Sequence, residues 1–202
     1  EQTLTYIQNY INVTDNAVKL MDHYENYIDV PSLIDWFIMT ELSYNADSCF
    51  RRSVFMTKGA GQKLKMSQVW DFDLAFGNSV ADQQRYEEWA CLTDDGGYVH
   101  YNWMCQLMRD DTFVAQLRER WNQVKDELLE TAMASLEEGY RLTAPSADDN
   151  FALWDILFAR VGMQPEAVVL CYTHERQVEY LRTFIEKRWN WMDQELNATA
   201  GE

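Results

Sequence analysis

Apolar residues recur along most of this chain at helical steps, and two short strand-like runs interrupt them. Leu33, Ile34, Trp36, Phe37, Ile38, Met39 and Leu42 leave almost no polar side, so this segment reads as a helix buried in a domain centre. Asp29-Val30-Pro31 marks its start: a capping acid, with proline in the first turn where a missing N–H costs nothing. The helix is expected to end around Tyr44 and to deliver Asn45-Ala46-Asp47 at its exit. Upstream, residues 1 to 28 read as polar helical material with Thr14 or Asp15 as a cap.

The strand-like runs follow. Ser53 to Thr57 and Leu64 to Trp70 read as strands, and Lys58-Gly59-Ala60-Gly61-Gln62 as the hairpin connection between them. The second strand leads into Trp70-Asp71-Phe72-Asp73-Leu74-Ala75-Phe76-Gly77-Asn78. Residues 79 to 98 look irregular, with Asp94-Asp95-Gly96-Gly97 as a turn.

From about Tyr101 the helical step returns, with Trp103, Leu107 and Met108, then Phe113, Leu117, Trp121, Val124 and Leu128. Pro145-Ser146 is expected to break the pattern, and Asp148 or Asp149 to cap a new helix containing Phe151, Trp154 and Phe158. Pro165-Glu166 is expected to open one last long helix carrying Val169, Tyr172, Val178, Leu181, Ile185, Trp189 and Met192. The fold class is therefore mainly α (α+β): residues 1–202 as one helical domain with one β-hairpin.

Composition supports that reading. The chain has 202 residues and is 47% hydrophobic, with 8 Trp, 11 Tyr and 9 Phe, which excludes a disordered chain. At this length roughly 70% of the unfolded surface can be buried, so folding requires no staple. Gly and Pro number only 8 and 3, which disfavours a turn-rich β sandwich. No apolar run approaches the ~18 residues a membrane span needs.

Thirty-three acidic residues against 17 basic ones leave a net charge of −16. That field repels phosphate backbones, which argues against nucleic-acid binding, and it attracts divalent cations and basic polypeptides. The four cysteines, Cys49, Cys91, Cys105 and Cys171, form no C-x-x-C and no zinc-spaced pair with histidine; they read as isolated buried thiols.

The segment from Asn45 to Asn78 holds the candidate chemistry. Asp47 follows the buried helix, and Asp71 and Asp73 end the hairpin. A hairpin folds back on itself and brings the two ends of this segment together. Two apart in an extended stretch, Asp71 and Asp73 would face one side and repel unless a cation sits between them, and a hard divalent ion suits their oxygens. Both also suit a second role as turn formers that accept backbone N–H groups, as Asp47 suits a cap.

Asn45-Ala46-Asp47, the hairpin with Lys63-Leu64-Lys65-Met66, and Val69-Trp70-Asp71-Phe72-Asp73-Leu74-Ala75-Phe76-Gly77-Asn78 together resemble the spore-coat-protein H (CotH) kinase family. Asp110-Asp111-Thr112-Phe113, Arg120-Trp121, Asn150-Phe151-Ala152-Leu153-Trp154 and Arg188-Trp189-Asn190-Trp191-Met192 extend the likeness over most of the chain. The resemblance implies the C-terminal lobe of an atypical protein kinase. It implies Asp47 as the catalytic carboxylate that accepts the acceptor hydroxyl's proton, and Asp71 as a metal ligand with Asp73 as a second. Mg2+ or Mn2+ with ATP is the implied cofactor, and Ser or Thr of secreted or envelope proteins the implied acceptor. An extracytoplasmic location follows from the resemblance alone.

Two departures stand out. A protein-kinase catalytic loop has Asn five residues after its Asp; Arg52 stands there, and Asn45 or Ser53 is available to replace it. No Gly-rich phosphate loop and no strand lysine precedes Asp47. The chain begins at Glu1 and reads as a piece of a longer precursor whose N-terminal segment grips the nucleotide, so the isolated chain is expected to be inactive. Lys63 and Lys65 read as solvent-facing hairpin residues. The alternative to a kinase is a kinase-derived scaffold that binds protein or glycan through Trp89, Tyr98, Tyr101 and Trp103. A metal-dependent hydrolase using Asp47, Asp71 and Asp73 ranks last, because no histidine lies near them in sequence.

Overall fold

The computed structural model describes residues 2–79, 85–92 and 101–198. Among these residues the fold is mainly helical, with one two-stranded antiparallel hairpin. Helix α1 (Gln2–Leu20) runs unbroken through Thr14 and Asp15. Thr14 is no cap: its hydroxyl donates back to the Tyr10 carbonyl at 2.8 Å, a bond that a mid-helix threonine makes.

Helix α2 (Val30–Leu42) starts as expected. The Asp29 side chain accepts the Ser32 N–H at 3.1 Å, and Pro31 lies in the first turn. Leu33, Phe37 and Ile38 are almost fully buried, each contributing roughly 1.5–3 kcal/mol of burial. Strands β1 (Met56–Lys58) and β2 (Leu64–Met66) pair Met56 with Met66 and Lys58 with Leu64, a shorter hairpin than expected. It is fastened to the start of α2: Asp29 N–H donates to the Leu64 carbonyl at 2.8 Å, and Met66 N–H to Ser32 Oγ at 3.2 Å. Lys63 and Lys65 face solvent.

Helix α3 (Trp103–Leu107) is capped by Asn102, and helix α4 (Asp111–Leu153) by Asp110. Pro145 does not end α4, which is one helix of 43 residues. The break fails where the helix is exposed: Pro145 and Arg141, whose carbonyl the missing N–H leaves free, both lie at the surface. The last helix divides instead. Helix α5 (Glu166–Val169) stops, and α6 (His174–Asn197) restarts with Thr173 accepting the Arg176 N–H.

Helices α4 and α6 run antiparallel. Asn122 bonds Asn197, Lys125 bonds Asp193, Arg182 bonds Glu137 and His174 meets Thr143, so the numbers converge as the pair is followed. Helix α2 packs against β2, α4 and α6, and its buried residues share one core with Met104, Leu107, Phe113, Leu117, Trp121, Phe184 and Met192. Of the aromatics expected at a surface, Trp103 is buried and Trp89 stacks on Phe37 with centroids 5.6 Å apart; Tyr98 and the Asp94–Gly97 turn lie outside the described residues. No helix among the described residues is long and apolar enough to cross a membrane.

Candidate active site

The exit of α2 forms one half of the site. Ser43 closes the helix, and Tyr44 turns the chain with a φ of 49°. Asn45 is fully buried, and a 3-10 turn (Ala46–Ser48) then presents Asp47 half-buried, with the Arg52 N–H bonded to the Asp47 carbonyl at 2.8 Å.

The other half arrives by geometry. The hairpin is tied to the first turn of α2, at Ser32, whereas Phe76 N–H donates to the Ser43 carbonyl at the last turn, 2.7 Å away. The thirteen residues of α2 rise about 20 Å. Residues beyond β2 must run back along that length, and an open chain covers it at about 3.3 Å per residue. Asp71 therefore arrives beside Asn45. Asn45 Nδ2 donates to the Asp71 carbonyl at 3.0 Å, and Ser53 Oγ donates to Asp71 Oδ2 at 2.9 Å. Both residues available to replace the missing asparagine thus touch Asp71, one at its backbone and one at its carboxylate.

The extended-strand argument for Asp71 and Asp73 does not hold. β2 ends at Met66, and Asp71 adopts a φ of 66°, so side-chain alternation is lost before Asp73. The Asp73 carbonyl accepts from Asn78 Nδ2 at 2.8 Å, and both aspartate side chains are exposed. Asp47, Asp71 and Asp73 do not form a set of three whose carboxylate oxygens all lie within 4.8 Å of one another. Among the described residues, the set of three ligating side chains whose donor atoms lie within 4.8 Å of one another is Glu41, Cys49 and Cys91.

These residues fit a hard divalent cation nonetheless. The donors are all oxygens, the Asp71 carboxylate is exposed with Ser53 on one oxygen, and Asn45 Oδ1 is a buried acceptor without a partner among the described residues. Mg2+ characteristically binds through one or two carboxylates, with water and substrate phosphates filling the remaining positions. Backbone strain gathers here as well. Of eight non-glycine residues with positive φ among the described residues, Tyr44, Phe50, Ser53, Asp71 and Phe76 belong to this segment. Such residues cost of order 1–3 kcal/mol each and persist where the surroundings over-determine them.

Behind the site stands a buried ion pair that local sequence patterns did not reveal. Glu41 and Arg188 are both fully buried, with Arg188 Nη2 2.8 Å from Glu41 Oε2. Arg188 also donates to the Glu41, Tyr86 and Glu88 carbonyls at 2.7, 2.6 and 2.6 Å. Glu41 accepts the Ala90 and Cys91 N–H groups at 2.7 and 2.8 Å. Burial pushes the Glu41 carboxyl up and the Arg188 guanidinium down; the pair's mutual attraction opposes both, and the Cys91 and Ala90 N–H groups further oppose the rise at Glu41. The sequence hint was an acid one helical turn after Phe37, on a face that is otherwise apolar.

The profile of the CotH kinase protein family matches residues 1–192. The chain belongs to the CotH kinase family. No curated protein and no solved structure matches it. Kinase-like function is thereby supported at the level of the CotH family. Several CotH-like stretches outside residues 45–78 serve the scaffold: Asp110 caps α4, Phe113 and Trp121 are fully buried, and Arg188 holds Glu41.

Proposed function

We propose that this chain carries the catalytic carboxylates of a metal-dependent kinase that transfers phosphate from ATP to Ser or Thr of secreted or envelope proteins. The observation supporting this reading is the double tether of Asp71, by Asn45 and Ser53, beside the turn that presents Asp47. Asp71 is the proposed ligand of Mg2+ or Mn2+, with Asp73 as a second. An ion held there would neutralise charge on the ATP phosphates. Asp47 orients the acceptor hydroxyl and takes its proton, and its half-buried position on a short turn leaves it within reach of a substrate chain. Ser53 fixes the rotamer of the Asp71 carboxylate, and Asn45 fixes its backbone.

The net charge of −16 favours a basic acceptor protein. Residues 2–42 comprise α1, a 3-10 turn (Tyr24–Asn26) and α2, so the proposal places the grip on the nucleotide outside this stretch. An extracytoplasmic location is part of the same reading, on the family likeness alone. A non-catalytic binding module is the second reading, favoured by the exposed Leu153, Trp154, Ile156, Phe158, Leu170 and Tyr172. The two readings part in a transfer assay with ATP, Mn2+ and a basic acceptor protein, using the protein in its full-length form. Asp47→Asn and Asp71→Asn should each abolish phosphate transfer with little change in melting temperature. Equal transfer by wild type and both variants would remove these residues from the mechanism, and no transfer by a folded wild type would favour the binding module.

A further inference from the structure

Two of the four cysteines are not isolated. Cys49 and Cys91 are 2% and 3% exposed, and their sulfurs lie within 4.8 Å of each other. They come from distant parts of the chain. Cys49 sits two residues beyond Asp47, its thiol 3.6 Å from the Asn45 carbonyl. Cys91 lies in the segment whose N–H groups Glu41 holds. From this juxtaposition we propose that Cys49 and Cys91 form a disulfide that ties the turn bearing Asp47 to the 85–92 segment.

The surroundings favour a disulfide over a metal. Glu41, the third ligating side chain of the cluster, already has both oxygens engaged: Oε1 by the Cys91 N–H, Oε2 by the Ala90 N–H and Arg188. A metal would need two thiolates in the volume that already holds that carboxylate, and burial pushes the Cys91 thiol up, away from the thiolate form. A disulfide adds no charge there. Burial also sets the timing, because sulfurs this inaccessible exchange with small thiols chiefly before the core closes and are protected afterwards.

The step balances with a small-molecule disulfide as oxidant. The thiolate of Cys49 attacks one sulfur of oxidised glutathione, forming a mixed disulfide and releasing one glutathione thiolate. Cys91 then attacks the Cys49 sulfur and releases the second. The two thiol protons end on the two glutathiones, and two electrons pass from the cysteines to the oxidant. Cys105 is the competitor, with its sulfur 4.0 Å from the Cys91 carbonyl, whereas Cys171 follows α5 elsewhere in the fold.

The test is to refold the reduced protein in a glutathione redox buffer, denature it without reductant, alkylate it with iodoacetamide and map the peptides. The expected result is a mass lower by two hydrogens before alkylation, alkylation at Cys105 and Cys171 only, and one cross-linked peptide pair containing Cys49 and Cys91. In Cys49→Ala, Cys91 should become alkylatable. Four alkylated cysteines after oxidative refolding would overturn the proposal, as would a bridge through Cys105 or stoichiometric zinc with all four thiols recovered on chelation.

Discussion

Replacing Arg188 with methionine should be among the most damaging single changes available in this fold. Arg188 is fully buried and makes four bonds of 2.6–2.8 Å, three to carbonyls and one to Glu41 Oε2. Methionine fills much of the volume but donates nothing, so Glu41 keeps two N–H partners and loses the countercharge that Arg188 supplies. Removing one member of a buried pair costs about 3–5 kcal/mol. With a urea slope of about 2 kcal/mol/M, the unfolding midpoint should fall by about 2 M. Urea titration followed by tryptophan fluorescence and by far-UV circular dichroism gives the midpoint and shows whether the slope is preserved. In a double variant, Glu41→Met with Arg188→Met, the midpoint should recover in part, because the uncompensated carboxylate is gone. An Arg188→Met midpoint within about 0.5 M of wild type at an unchanged slope would refute this account of the pair.

Four further outcomes follow from named contacts. Asp110 is held below the usual carboxylate range first by the Tyr24 hydroxyl at 2.6 Å and then by backbone N–H groups, so the stability it contributes is present above its ordinary value of 3.8 and is lost as pH falls through the lower, folded value. Midpoints of wild type and Asp110→Asn should therefore differ near neutrality and converge in acid; a gap independent of pH would contradict this. Gly77→Ala should destabilise by about 1–3 kcal/mol, since its Cβ would sit 2.6 Å from a buried Phe184 carbon at a φ of +75°; an unchanged thermal midpoint would show that the ring gives way. Pro145→Ala should raise the melting temperature by roughly 2–4 °C per kcal/mol recovered, by restoring a bond inside α4. Ser53→Ala should weaken Mn2+ binding roughly 10- to 100-fold at unchanged melting temperature, because it frees the Asp71 carboxylate to turn.

What was legible in the sequence was what local chemistry dictates. Helix α2 was readable because its cap, its proline and its apolar faces agree, and the hairpin because a glycine-containing loop separates two short runs. Asp47 and Asp71 stand out as candidates only through the motif around them. Misreadings arose wherever a single residue's usual effect was overruled by its surroundings. Pro145 breaks helices whose freed carbonyl finds no partner, but here that segment faces water. Asp71 and Asp73 would share a face in a strand, but a φ of 66° at Asp71 ends the alternation. The Glu41–Arg188 bond joins residues 147 positions apart, and Cys49 meets Cys91 only once α2 has packed, so no local pattern reports either contact.

The most direct test of the central claim is calorimetric titration of Mn2+ with ATP into the full-length protein, beside an Asp71→Asn control that melts at the same temperature. The proposed site predicts metal-dependent ATP binding in the wild type and its loss in the variant. Binding of equal strength in both, or none in a well-folded wild type, would contradict it and leave the Asp71 motif as architecture.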